Sequence, residues 1–341
     1  MYSSRAMKIT TITMFAMMVL IVISGSLYRA SAQSTITCGQ TIGQSVTLSS
    51  DLNCAKSGTD GLIIGANNVI LDCAGHTITG PVSFYRGMTG LDGISLTDVS
   101  GVTVKNCNVT YFDNGFVVSN SENNKLVYDK ADNNGNYGFD VTIHSSNNQL
   151  GYDEAAHNGG YGFSVEANSN GNQVDTSLSS GNTEAGFVAL TDSNNTTFEN
   201  DKSYKNLQDG FIVSSSAGGI LENNQAIENA YSGFALFGST SNSLENNTSV
   251  SNGMGGYLLV VSSSNNLGNN DAEKNGQDGF LADSSSTGNT LSANLSNENT
   301  GSGYEDSTQG PSTSTTNTYG SNICQDDRAG SSTPAGLCST G

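Results

Sequence analysis

Proline is almost missing from this chain. Of 341 residues three are proline, and none lies between Pro81 and Pro311. Proline cannot donate to a ladder, so its absence over that span fits a backbone whose N–H groups are committed to sheet pairing. Basic residues are scarce too, 12 Lys and Arg against 31 Asp and Glu. A surface of that sign repels phosphate backbones and excludes nucleic acid as a partner. The three histidines, His76, His144 and His157, are dispersed, and no CxxC occurs. Those gaps argue against a zinc or copper centre. No amphipathic run of helical length is present, and nothing beyond residue 32 approaches a membrane span.

What is present begins with a leader. Arg5 and Lys8 precede an apolar run from Ile9 to Ile23, and Ala30-Ser31-Ala32 supplies small residues for cleavage before Gln33. Residues 1–32 therefore read as a secretory signal, with an uncleaved anchor as the alternative. Loss of Arg5, Lys8 and Arg29 leaves nine basic residues against 31 acidic ones, a net charge of −22. A secreted or cell-surface location permits disulfides. All six cysteines follow the leader and none lies among the regular repeats. Cys38–Cys54 and Cys324–Cys338 are expected to bridge terminal caps. Cys73–Cys107 is the third candidate pair, although alignment of Leu71 with Val104 leaves the two cysteines one position out of register.

Glycine followed by an aromatic or aliphatic residue recurs at Gly93, Gly115, Gly138, Gly162, Gly186, Gly210, Gly233, Gly256, Gly279 and Gly303, at intervals of 22 to 24 residues. Leu126, Leu150, Val174, Phe198, Leu221, Leu244, Leu267 and Leu291 keep the same rhythm. Two markers with one period mean a single structural unit stacked on its own copies. Within each unit the apolar residues alternate, as in Phe211 and Val213 or Tyr257, Leu259 and Val261, and Asn, Ser, Gly and Asp fill the gaps. That pattern predicts three short strands per coil joined by tight turns. Counting from the second marker predicts an inward amide ladder at Asn106, Asn200, Asn223, Asn246 and Asn269, interrupted by Thr176 and by an aromatic pair, Tyr128 and Tyr152. The fold expected is an all-β, single-stranded right-handed parallel β-helix of about ten coils. An N-terminal cap would span 33–60, the helix 61–306, and a Ser/Thr-rich tail with its own cysteine cap 307–341.

The passages Asp51-Leu52-Asn53-Cys54, Gly61-Leu62-Ile63-Ile64 and Asn68 through Ile78, with the later Asn-x-x-x-Gly-Phe and Ser-Asn-Asn coils, resemble NosD-like parallel β-helix (PbH1) repeat proteins. These are related in fold to mannuronan epimerases and pectate lyases. The resemblance covers roughly residues 38–338 and implies a scaffold that serves several chemistries. Tyr137-Gly138-Phe139-Asp140 is similar to the start of the epimerase motif Tyr-Gly-Phe-Asp-Pro-His, but Val141 and Thr142 stand where proline and histidine belong. The catalytic candidates are therefore Tyr137, Asp140 and His144. Tyr161-Gly162-Phe163 repeats the same step as ordinary coil structure. For a lyase, Lys125 and Lys130 flank Asp129, and Lys202 and Lys205 flank Asp201, yet such pairs on turns are usually solvated.

Asp129, Asp153 and Asp201, with Asn224, Asn247, Asn270 and Asn294, form a further column, expected at a turn, where calcium is a possible ligand and no other cofactor is implied. On the first strand the outward column runs Ser95, Val117, Asp140, Ser164, Val188, Ile212, Ala235, Leu258 and Leu281, polar first and then aliphatic. Leu190, Phe237 and Val260 extend it. Such a stripe is expected to be covered, by the 307–341 tail or by a second molecule. The leading functional expectation is a non-catalytic protein that binds a polysaccharide or another envelope component through one lateral face. The alternative is a lyase or uronate C5-epimerase acting on an acidic polysaccharide.

Overall fold

Gly138 shows why each coil needs its glycine. A Cβ there would lie 2.6 Å from the carbonyl oxygen of Gly162 in the next coil and 2.8 Å from the Cβ of Ala155 across the interior. At Gly162 the same test gives 2.7 Å to the Gly186 oxygen and 2.1 Å to Ser179 Oγ. Two walls therefore meet at a narrow edge, where glycine on one side faces a buried column of Ala131, Ala155, Ser179, Ser203, Ala226 and Ser249 on the other.

The structure, a computed structural model, describes residues 35–81, 90–308 and 316–340, so the leader expected over 1–32 lies outside the described residues. Within the unit that starts at Thr37, every element is a short strand, and the strands form three parallel sheets of 13, 12 and 13 members. Each strand pairs with its equivalent one coil later, as Phe187 with Phe211 and Val188 with Ile212. The first sheet holds the strands after the glycine step, the second those around the Leu marker, and the third the remainder. This is a β-helix of about twelve coils. The ten regular steps begin at Gly93 and leave out the end coils, since Gly61-Leu62 lies 32 residues earlier, outside the regular interval. Gln40–Ile42 already pairs with Leu62–Ile64, and Ser332 pairs with Tyr304.

The interior is an aromatic stack. Phe116, Phe139, Phe163, Phe187, Phe211, Phe234, Tyr257, Phe280 and Tyr304 lie face to face with ring centroids 4.6 to 4.9 Å apart. Phe198 of the second sheet packs edge-on against two of them. Aromatic pairs of this kind contribute about 0.5–1.5 kcal/mol beyond their burial.

At the corners, buried amides replace apolar packing. Asn158 donates from its backbone N–H to Asn182 Oδ1 at 2.9 Å, and from Nδ2 to the same oxygen at 3.0 Å and to the Ala131 carbonyl at 3.0 Å. One such column runs from Asn134 to Asn299, and a second includes Asn124, Asn148, Asn172, Asn242, Asn265 and Asn289.

A third column corrects the ladder expected from the sequence. The inward residues are Asp129, Asp153, Ser177, Asp201, Asn224, Asn247, Asn270 and Asn294, all buried. The residues expected there, Asn106, Tyr128, Tyr152, Thr176, Asn200, Asn223, Asn246 and Asn269, sit one position earlier with φ between 52° and 59°. A left-handed residue swings the chain around the corner and breaks the period-two count that placed it inside. Tyr128 and Tyr152 do stack, 5.0 Å apart, but on the outside, 57% and 53% exposed.

All three cysteine pairs are bonded, Cys38–Cys54, Cys73–Cys107 and Cys324–Cys338. Leu71 is in register with Val104 as aligned. The left-handed corner at Asn106 takes up the extra residue, so Cys73 and Cys107 approach to a Cα separation of 4.7 Å. Three disulfides and no free cysteine fit an oxidising, extracytoplasmic environment. The tail does not fold back over the lateral stripe in its described part. Thr318–Gly320 and Ile323–Gln325 add to the second and third sheets, so residues 316–340 continue the coil.

Candidate functional site

The outer face of the first sheet gathers the polar residues that the interior cannot use. Alternation along Phe139–Thr142 sends Phe139 into the stack and Asp140 outward, beside Val117 and Ser164 in the adjoining coils. Asp140 is nonetheless 8% exposed, and its Oδ1 is buried without a hydrogen-bond partner. Burial, then the nearby charges of Glu166 and Asp92, push this carboxyl well above the usual range. Glu166 is raised as well, by burial that outweighs hydrogen bonds from Thr142 and Ser164. At the edge of the face, burial raises Asp92 to about 6 against the hydrogen bond from Asn114, with the charges of Asp60 and Asp113 adding to the rise.

A chain of amides leads from these acids to two tyrosines. Asn114 donates to Asp92 Oδ1 at 3.0 Å, and Asn136 donates to Asn114 Oδ1 at 3.0 Å. The Tyr137 N–H donates to the same Asn114 oxygen at 3.2 Å. Tyr137 stacks on Tyr161 with centroids 5.3 Å apart, and Gly160 leaves room for the ring, since a Cβ there would lie 2.7 Å from Tyr137 Cδ1. Among the described residues, no strand of this sheet contains lysine, arginine or histidine. The face therefore offers carboxyls of raised pKa, amides, hydroxyls and tyrosine rings, with no cation in its described strands.

Further along, the same face becomes aliphatic but is not an open stripe. Val188 is fully buried and Ile212 is 8% exposed. They pack with Ala185, and Tyr161, Leu190 and Phe237 lie against that cluster. Part of the packing around Val188 and Ile212 thus comes from residues of the same face and of the turns before its strands. Phe237, Leu258, Val260 and Leu281 remain half-buried.

The structure brings Tyr137 and Asp140 onto one face but not His144. The strand ends at Thr142, and Ile143 and His144 both turn left-handed. His144 lines a different groove of about 300 Å³, with Asn67, Asp98, Ser100, Asn120 and Glu122. The acidic column expected at a turn follows the left-handed corners but faces the interior. Asp129, Asp153 and Asp201 point inward and accept backbone N–H groups, while Lys125, Lys130 and Lys202 are exposed on the outside. Among the described residues no three acidic, histidine or cysteine side chains converge to hold a metal ion. Asp92 and Glu166 escaped the sequence reading because neither belongs to a motif.

Residues 41–203 and 188–333 match the family described as "Right handed beta helix region". No curated protein is matched by the sequence. Among solved structures, the A-module of the Azotobacter vinelandii mannuronan C-5 epimerase AlgE6 is similar over 85% of this chain and 87% of its own, at 15% identity and a TM-score of 0.74. The periplasmic alginate epimerase AlgG is similar over 85% and 79%, at 12% identity and a TM-score of 0.60. Pectate lyase Pel9A follows over 90% and 80%, at 14% identity and a TM-score of 0.53. At such identities the likeness is one of fold.

Proposed function

Because the chain belongs to the right-handed β-helix family, a fold that does not by itself fix one chemistry, we propose that it is an extracytoplasmic protein that binds neutral glycan along the outer face of its first sheet and leaves the glycan unchanged. The observation that carries this reading is that Asp92, Asp140 and Glu166, all raised, lie on or beside strands that, among the described residues, contain no basic residue. A protonated carboxyl is a good hydrogen-bond donor to sugar hydroxyls. The same acids are poor neighbours for a uronate, whose carboxylate needs a positive partner before its C5 proton can be removed. Tyr137 and Tyr161 add ring faces for stacking, and Phe237, Leu258, Val260 and Leu281 extend the face with apolar surface for sugar C–H groups.

A second reading, an epimerase or lyase acting on an acidic polysaccharide, is favoured by Asp140 itself, since a buried carboxyl of raised pKa is poised to donate a proton. Calorimetric titration with neutral oligosaccharides and with oligouronates separates the two. Neutral chains should bind, and Tyr137→Ala with Tyr161→Ala should weaken them. Preferential binding of oligouronates would reverse the order of the two readings.

A further inference from the structure

The Tyr128–Tyr152 pair belongs neither to the core nor to the first-sheet face. We propose that Tyr152 and the notch beside it form a second site, on the outer surface of the second sheet, that seats one neutral sugar ring.

The tyrosines stand where the fold does not favour them. Their φ values are 59° and 58°, a left-handed conformation that suits asparagine and is unusual for a bulky side chain. The equivalent corner is asparagine or threonine in the coils around them. Both rings meet each other and water, more than half exposed. Neither local backbone preference nor burial accounts for them.

The glycine next to Tyr152 is equally unforced. Gly151 ends the strand Gln149–Gly151, and a Cβ there would meet only the Asp175 carbonyl, at an ordinary 3.5 Å. Nothing in the packing demands glycine, unlike at Gly138 or Gly162. Beside it is a cleft of about 110 Å³ whose lining joins the polar side chains of Lys125, Gln149, Gln173 and Asp175 to Val127, Leu150, Gly151 and Tyr152. Glycine inside a strand often marks a place where a ligand comes close to the backbone.

The chemistry of the lining selects the occupant. Lys125, Gln149 and Gln173 are in register along one side. Asp175 closes one end, one oxygen accepting from Thr176 Oγ1 at 2.8 Å and Asn200 Nδ2 at 3.1 Å. One cation, one anion and two amides beside an aromatic face match a neutral ring with hydroxyls on its edge and C–H groups on its face. A protein partner would require a wider apolar patch than two rings supply.

The test is calorimetric titration of the intact protein with neutral tetrasaccharides of glucose, mannose, galactose and xylose, alongside Tyr152→Asn and Gly151→Val. Asparagine is the residue this corner prefers, so Tyr152→Asn should melt at or above the parent temperature while binding falls at least about tenfold. Gly151→Val should give the same loss by filling the notch. Gly268→Val, in the same column without a tyrosine beside it, should leave this site's affinity unchanged. The proposal is overturned if no tetrasaccharide binds, if Tyr152→Asn and Gly151→Val leave binding intact, or if Tyr137→Ala alone removes all of it. Capture of a protein through Tyr152 without any sugar binding would overturn it as well.

Discussion

Asp153 accepts the backbone N–H of Asp129 on its Oδ1 at 2.8 Å, the place taken by asparagine from Asn224 onward. The second carboxyl oxygen has no partner, whereas the amide of Asn224 uses that position to donate to the Phe198 carbonyl at 2.8 Å. A proton on the acid restores the missing donor. Burial raises Asp129, Asp153 and Asp201 well above the usual range, against the hydrogen bonds from backbone N–H groups.

The pH dependence follows with a definite sign. A carboxyl whose folded pKa is raised contributes stability that is fully present below its unfolded value, near 3.8, and that is lost as pH rises through the folded value. The protein should therefore melt higher near pH 4 than near pH 8. Replacing Asp129, Asp153 and Asp201 by asparagine should flatten that slope, and each substitution should add about 1–3 kcal/mol at the higher pH. Urea midpoints at the two pH values check it. A parent protein more stable at the higher pH would contradict the reading.

Two glycines of similar sequence context should behave oppositely. Gly162→Ala drives a Cβ into Ser179 Oγ and the Gly186 carbonyl, and overpacking of that kind costs about 1–3 kcal/mol. Gly151→Ala meets ordinary contact and should be neutral or gain a few tenths of a kcal/mol, because alanine loses less backbone entropy on folding. Thermal melting of the two variants decides this.

The aliphatic stripe should respond to charge position by position. Ile212→Lys places an ammonium in a covered cluster and should cost about 3 kcal/mol. Leu258→Lys lies at a half-buried position where the long side chain can reach water, so its cost should stay near about 1 kcal/mol. Equal losses would show that the two positions share one environment.

The period was legible because each coil repeats the same steric problem, an interior too narrow for a Cβ at Gly138 and Gly162. The ladder was read one residue early for a physical reason. Asn223-Asn224, Asn246-Asn247 and Asn269-Asn270 each pair a left-handed corner with an inward amide, and asparagine suits both roles, so composition cannot say which residue is inside. Tyr128-Asp129 and Tyr152-Asp153 break that degeneracy only once the corner conformation is known. The outward direction of Val188 and Ile212 followed from alternation, but their cover comes partly from Tyr161 and Ala185 in the turns before the strands, which alternation within one strand does not reveal. His144 left the site because two consecutive left-handed residues end its strand. Asp92 and Glu166 joined it through neighbouring coils.

The central claim is that the Asp140 face holds a glycan without altering it. The direct measurement incubates the protein with polymannuronate and polygalacturonate, with and without calcium, following unsaturated products by ultraviolet absorbance and C5 inversion by NMR. Neutral oligosaccharides are titrated in parallel. The account predicts neither product in any condition, together with neutral-glycan binding that Tyr137→Ala weakens. Turnover of either polymer that disappears in Asp140→Asn would contradict it.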